Sequence, residues 1–263
     1  MKQGSYIYAD PTGNITLLAP MPEDSTLSLS DAASILMERE PDAEQIGFLS
    51  PGDADCDIAL QMAGGEFCGN AAMSAAAVYA LFSGLNFADV HVRVSGAPDP
   101  IVVQIRTADE QAHVHVYIGT VEMPSPVSME DLNVPLDHGM LPVTAVRLPG
   151  IVHLITDTPV EKECAEEAIR QWCSLFQADA LGLILLNRQN ETLTPLVYVR
   201  RSNTLFWESS CASGTTAAGA VLRSVFGPGS WTFSEPAGKL TIEATADGRL
   251  LLTGRVRIEE RSF

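Results

Sequence analysis

The sequence predicts an α+β fold of two similar domains, each a mostly antiparallel β-sheet wrapped around one central helix. Three observations lead there. The order of elements in the first half of the 263 residues recurs in the second. Each half carries a segment of small, apolar residues without proline, 71–82 and 215–226, suited to burial on all sides. Each half also closes on three runs that alternate with polar residues, Val/Ile-rich in the first half, and such alternation is the period of strands in antiparallel sheets.

Taken in order, residues 5–19 read as a β-like start and 29–40 as a helix. Residues 45–50 and 57–63 read as strands, followed by the Gly-rich turn Gly64-Gly65-Glu66-Phe67-Cys68-Gly69-Asn70 and the first small-residue helix. Runs 89–95, 100–107 and 112–123 close the half. In the second half, 143–157 leads to a helix over 160–177, strands 180–187 and 194–201, and the turn Trp207-Glu208-Ser209-Ser210-Cys211-Ala212-Ser213-Gly214. The second small-residue helix and runs 230–235, 239–245 and 250–260 finish the chain. The turn cysteines Cys68 and Cys211 stand about half the chain length apart. The expected domains are 1–125 and 140–263, with the proline-containing segment 123–142 as linker.

Charge narrows the partners. With 16 Lys+Arg against 33 Asp+Glu the net charge is −17, which repels nucleic-acid backbones and anionic membranes alike. The amino-terminal stretch lacks the apolar core of a signal peptide, and no run is long enough to span a bilayer, so a cytoplasmic protein is expected. Five cysteines without a C-x-x-C argue against a zinc ribbon or a thioredoxin motif. Lysine occurs only at Lys2, Lys162 and Lys239, which leaves little scope for a pyridoxal phosphate Schiff base. Oligomeric state is not legible, a homodimer being the one assembly entertained.

Each half places one cysteine just before its apolar helix. Amides at a helix N-terminus carry partial positive charge and bind anions such as a carboxylate. The same location is expected to lower a thiol pKa from about 8.5 towards 3.5–7.5. If the halves face each other across a cleft, a carboxylate lies between two sets of amides with a sulfur on either side. That arrangement suits racemisation of an amino acid: one thiolate removes the Cα proton, the opposite thiol returns one, and the amides hold the charge that develops on the carboxylate. No cofactor or metal is then required.

Glu66-Phe67-Cys68-Gly69-Asn70-Ala71 and Ser210-Cys211-Ala212-Ser213-Gly214-Thr215 resemble the two cysteine motifs of the diaminopimelate epimerase family. Pro11-Thr12-Gly13-Asn14, Glu44-Gln45-Ile46-Gly47-Phe48 and Trp207-Glu208-Ser209 extend the likeness over nearly the whole chain. The nearer match is similar to the histidine racemase branch, whose members supply D-histidine for opine metallophores. The resemblance implies that fold, a site in the interdomain cleft, an amino-acid substrate, and Cys68 and Cys211 as the two bases. It implies that Gly69, Asn70, Ala212 and Ser213 hold the carboxylate and amino group, with Asn14 and Gln45 lining the same end. Diaminopimelate epimerases carry an arginine ahead of the second cysteine and an asparagine in a Gly-Asn-Pro-His stretch. Here those places hold Trp207-Glu208-Ser209 and Ile151, so the grip on a distal amino-carboxylate is missing.

Other residues have quieter readings. Cys56, Cys164 and Cys173 read as small core hydrophobes. His113 and His115 alternate on one strand without a third metal ligand. His153 is either a base assisting Cys68 or a structural histidine at a strand end. Glu66 and Glu208 bind the substrate ammonium or cap their helices, binding being favoured for Glu208. The glutamates 161–167, with Lys162 among them, read as a solvated helix face. Phe48, Phe67 and Trp207 are the rings available to an imidazole. Within the racemase class the runner-up is a diaminopimelate epimerase or a racemase of another amino acid. From other classes, a cysteine hydrolase would not need the second cysteine, and an amino-acid-binding protein would use the same helix-end cleft.

Overall fold

The computed structural model describes residues 5–22, 28–111, 114–137, 139–201 and 203–262. In chain order its elements are β1 (Ser5–Pro11), β2 (Thr16–Pro20), α1 (Leu29–Arg39), β3 (Gln45–Pro51), β4 (Ile58–Met62), α2 (Gly69–Ser83), β5 (Phe87–Val94), β6 (Ile101–Gln111) and β7 (Val114–Met123). There follow β8 (Ser128–Leu136), β9 (Gly139–Leu148), β10 (Ile151–Thr156), α3 (Lys162–Leu175), β11 (Ala180–Asn187), β12 (Thr192–Val199) and β13 (Thr204–Trp207). The chain ends with α4 (Ala212–Phe226), β14 (Gly229–Glu235), β15 (Gly238–Ala244) and β16 (Leu250–Ser262). The fold is mostly β, with four helices among the described residues. Contacts divide it into one unit of Met1–Glu122 with Thr253–Phe263, and a second of Met123–Leu252.

In the first unit the strands close into a barrel. β1 to β7 are neighbours in sequence order, β7 lies beside β16, and β16 pairs antiparallel with β1 from Ser5↔Ser262 to Pro11↔Val256. Two pairs in the ring are parallel, β2–β3 and β4–β5, and each is bridged by a helix, α1 and α2. A parallel pair needs such a crossover, whereas antiparallel neighbours need only a turn. α2 packs against β1, β2, β4, β5 and β6, and Ala71, Ala72, Met73, Ala75, Ala76 and Ala77 are fully buried. Its methyl-sized side chains let the strands come close: at Gly119 of β7 a Cβ would sit 3.0 Å from the Met73 Cβ. α1 is instead amphipathic and covers a small core of Tyr6, Leu17, Ile46 and Phe48.

The second unit repeats the device. Its strand order is β8-β9-β10-β11-β12-β14-β15, with β13 paired to β12. The parallel pairs β10–β11 and β12–β14 are bridged by α3 and α4. α3 buries Ile169 and Trp172 in the core, and the Trp172 indole N–H donates to the Pro135 carbonyl at 2.7 Å, tying α3 to β8.

Two expectations from the sequence are revised. The stretch read as a linker, 123–142, holds β8 and the start of β9, paired from Ser128↔Arg147 to Leu136↔Gly139. Its prolines sit where the hairpin tolerates them; Pro135, for example, offers its carbonyl to Trp172. The residues from Thr253 onwards, expected in the C-terminal domain, close the barrel of the first unit. The β-like start is also two strands. Thr12 (φ 62) and Gly13 (φ 91) turn the chain, and the Gly13 N–H donates to Asp10 Oδ1 at 2.6 Å. No helix among the described residues is long and apolar enough to cross a membrane.

Candidate active site

Cys68 and Cys211 are the N-caps of α2 and α4, and their backbones are nearly the same, at φ −135, ψ 113 and φ −134, ψ 102. In each case the sulfur accepts the third amide of the turn, Ala71 N–H or Gly214 N–H, at 3.4 Å. A sulfur takes the place of the usual serine or aspartate oxygen, which leaves a nucleophilic atom at the positive end of the helix. Gly69, Asn70, Ala212 and Ser213 supply the amides of the two first turns.

Around Cys68 the first unit assembles a polar cluster. The β1–β2 turn brings Asn14 inward, 2% exposed, and its Nδ2 donates to Glu44 Oε2 at 2.6 Å. Asn70 Nδ2 donates to Asn14 Oδ1 at 3.2 Å, so the donors run Asn70 to Asn14 to Glu44. Cys68 Sγ lies 2.9 Å from Gln45 Oε1 as its donor. Gln45 opens β3, and the amides of Glu44 and Gln45 both donate to the Ile15 carbonyl, which fixes this pair beside the turn. Asn14, Gln45, Asn70 and Cys68 thus come together within the first unit. Glu44, to which the sequence assigns no role, joins them as the acceptor of Asn14. Glu66 is exposed on the turn ahead of Cys68.

The second unit surrounds Cys211 with acid. The Cys211 N–H donates to Glu235 Oε2 at 2.7 Å, and the Thr215 hydroxyl donates to Glu235 Oε1. Glu235 is 6% exposed, and burial, with Glu208 nearby, pushes its carboxyl up to about 8. Burial likewise pushes the Cys211 thiol well up, and Glu208 and Glu235 add to that, Ser213 acting the other way. This corrects the expectation that the helix terminus leaves Cys211 acidic: the terminal amides are outweighed by desolvation and two carboxyl groups. Glu235 was missed. The signal lay in strand alternation, since Phe233 and Glu235 share the buried face of β14.

His153 is also placed differently from the expectation. It is the third residue of the six-residue strand β10, fully buried, and its Nε2 lies 2.9 Å from Ser213 Oγ. Ser213 Oγ is in turn 3.6 Å from Cys211 Sγ. Burial pushes the imidazole down to about 3, so it remains neutral and does not serve as a base near pH 7.

Two of the three candidate rings are engaged elsewhere. Phe48 is 1% exposed in the core beneath α1. Trp207 donates its indole N–H to Glu166 at 2.6 Å, and Lys162 Nζ stands 4.9 Å from its ring, so Lys162 and Glu166 are not simply solvated. Phe67, next to Cys68, is half-buried. Cys56 and Cys173 are buried and Cys164 half-buried, and all five cysteines are free thiols. His113 lies outside the described residues. Among those described, no three His, Cys, Asp or Glu side chains are grouped to hold a metal.

This mostly β architecture with a few helices is that of the epimerase and PhzF-like folds. Over 98% of both chains it superposes on a predicted epimerase from Pseudomonas aeruginosa (TM-score 0.70, 12% identity). The same coverage and identity hold for a phenazine biosynthesis protein of the PhzF family from Bacillus anthracis, at TM-score 0.67. The family model described as the histidine racemase CntK N-terminal domain matches residues 4–260, and the chain belongs to that family. It is 32% identical over 228 residues to a histidine racemase of Fusobacterium nucleatum, covering 83% of this chain and 81% of that one. With a histidine racemase of Staphylococcus aureus it shares 31% over 220 residues, 80% and 76% of the two chains.

Proposed function

We propose that this protein is a cofactor-independent histidine racemase of the cytoplasm, with Cys68 and Cys211 serving opposite faces of the substrate Cα. The observation that carries the reading is the match between the two caps, alike in dihedrals and in the 3.4 Å amide-to-sulfur contact. A single-nucleophile enzyme or a binding protein needs only one of them. In this reading the two halves are repeats of one unit, each supplying one cysteine-capped helix.

Cys68, as thiolate, takes the Cα proton of the amino acid. The electron pair left on Cα delocalises into the carboxylate, whose growing charge is held by the first-turn amides of Gly69, Asn70, Ala212 and Ser213. Cys211, which its surroundings keep protonated, gives its proton to the other face. One C–H bond breaks and one forms, and the two sulfurs exchange protonation states, so the reverse reaction starts from the product complex. Gln45 suits both states of Cys68, since its carbonyl accepts from the thiol and its amide, turned over, donates to the thiolate. Asn14, Asn70 and Glu44 face the amino-carboxylate end, and Glu208 offers the ammonium a carboxylate. The support for histidine is the family, together with Ile151 and Trp207-Glu208-Ser209 where a diaminopimelate site needs an asparagine and an arginine.

The test is to incubate the enzyme with L-histidine in deuterium oxide, without pyridoxal phosphate, and follow Cα exchange by NMR and D-histidine by chiral chromatography. Racemisation is expected for the parent protein and lost in both Cys68→Ser and Cys211→Ser. Near-normal turnover in either variant, or activity restored only by added pyridoxal phosphate, overturns the two-base reading.

A further inference from the structure

A short polar chain runs from Cys211 through the half-buried Ser213 hydroxyl to the buried His153 ring, and the two-base scheme uses neither that hydroxyl nor that ring. His153 of β10 stands opposite Gly182 of β11 in the parallel register, and its ring lies directly over that glycine. A Cβ at Gly182 would come 2.2 Å from His153 Nδ1 and 2.6 Å from Cε1, so the ring occupies space that only glycine leaves open. Nδ1 is buried and has no hydrogen-bond partner among the described residues, whereas Nε2 is 2.9 Å from Ser213 Oγ.

Those two facts select the tautomer. A neutral imidazole carries one ring proton. Placed on Nδ1, it is a buried donor without an acceptor, a rare and costly arrangement; placed on Nε2, only a lone pair goes unmatched. Nε2–H therefore donates to Ser213 Oγ. The serine hydroxyl then has its own proton to give, and Cys211 Sγ at 3.6 Å is within reach of it.

We propose that His153 is a positioning residue that, through Ser213, holds a hydroxyl donor on the sulfur of Cys211 and so favours its thiolate. The inference rests on the reading of Cys211 as one of the two bases. It assigns His153 a fixed donor role, where the sequence left both a base and a structural histidine open. The groups facing Cys211 make such a donor useful. Glu208, in the turn before it, and Glu235, at the end of β14, both oppose the thiolate. From β11 the neighbour of this turn is Ile184, which is apolar and contacts Gly214. Against them stand the Gly214 N–H and the Ser213 hydroxyl. The imidazole takes no proton in this scheme and stays neutral throughout.

The experiment reads Cys211 directly and needs no substrate. The rate of alkylation of Cys211 by iodoacetamide is measured against pH, with the modified peptide assigned by mass spectrometry. Removing the hydroxyl in Ser213→Ala is expected to raise the midpoint by about one pH unit, the scale of one hydrogen bond to a charged group. His153→Phe, which keeps a ring but not the donor, is expected to raise it in the same direction. His153→Gln, which offers an amide N–H, is expected to restore part of the shift and serves should the phenylalanine variant not fold. Because His153 acts through Ser213, the double variant His153→Phe/Ser213→Ala is expected to match Ser213→Ala alone. An unchanged midpoint in Ser213→Ala, or additive shifts in the double variant, overturns the proposal. The two-base reading fails separately, by racemisation that survives in Cys211→Ser.

Discussion

Glu235 makes the energetics around Cys211 measurable. Its carboxyl is almost sealed from water, yet it accepts the Cys211 amide at 2.7 Å and the Thr215 hydroxyl. Burial moves its pKa from the ordinary 4.5 to about 8 in the folded protein. At about 1.4 kcal/mol per pKa unit, holding the ionised form inside costs on the order of 5 kcal/mol relative to the protonated form. The sign follows from proton linkage. Between pH 4.5 and about 8 the native state binds a proton that the unfolded chain has released, so stability falls as pH rises through this window and levels off above it. Glu235→Gln removes the titration while keeping one acceptor for the two donors. Urea unfolding from pH 5 to 9 is expected to show the parent losing several kcal/mol across the window and the variant losing far less. The same substitution removes a negative charge beside Cys211 and is expected to lower the pH at which that thiol becomes alkylable. Parallel pH dependences of stability in parent and variant would refute the argument.

Three further outcomes are expected. On one preparation, kcat/KM for L-histidine is expected to exceed that for L,L-diaminopimelate by tenfold or more. A distal carboxylate without its arginine loses about 2–5 kcal/mol of charge-assisted contact, and a preference for diaminopimelate would overturn the substrate reading. Asn14→Ala leaves Glu44 and Asn70 without their shared partner; a fall of about 1–3 kcal/mol in unfolding free energy and a raised KM are expected from denaturation and steady-state kinetics. Trp172→Phe removes the indole bond to Pro135 O and part of a fully buried ring, with about 2 kcal/mol lost in urea unfolding and little change in KM.

The cysteine motifs were legible because they are local. A cap, its first-turn amides and the small residues of the following helix lie within a few positions of one another, so Cys68-Gly69-Asn70 and Cys211-Ala212-Ser213 announce their geometry in the chain itself. Strand alternation was legible for the same reason, and it carried β5, β6 and β7 and β14, β15 and β16. The prolines of 123–142 misled because proline is found in linkers as well as on sheet-edge strands, and the pairing of β8 with β9 that makes this stretch a hairpin is not written in its local composition.

What the sequence by itself determined is therefore the pair of sulfur-capped helices, the repeated order of elements and the family. What only tertiary structure decided is which distant residues complete each cap. Glu44 with Asn14, Glu235 with Cys211, and His153 with Ser213 are brought together by strand register and helix crossovers across tens of residues. So is the return of the last strand to close the barrel of the first unit against β1. Those pairings depend on strand register and crossover connections, which residues far apart in the chain set together. The protonation states of Cys211, Glu235 and His153 depend on them in turn, because burial and neighbouring charge are properties of the packed chain.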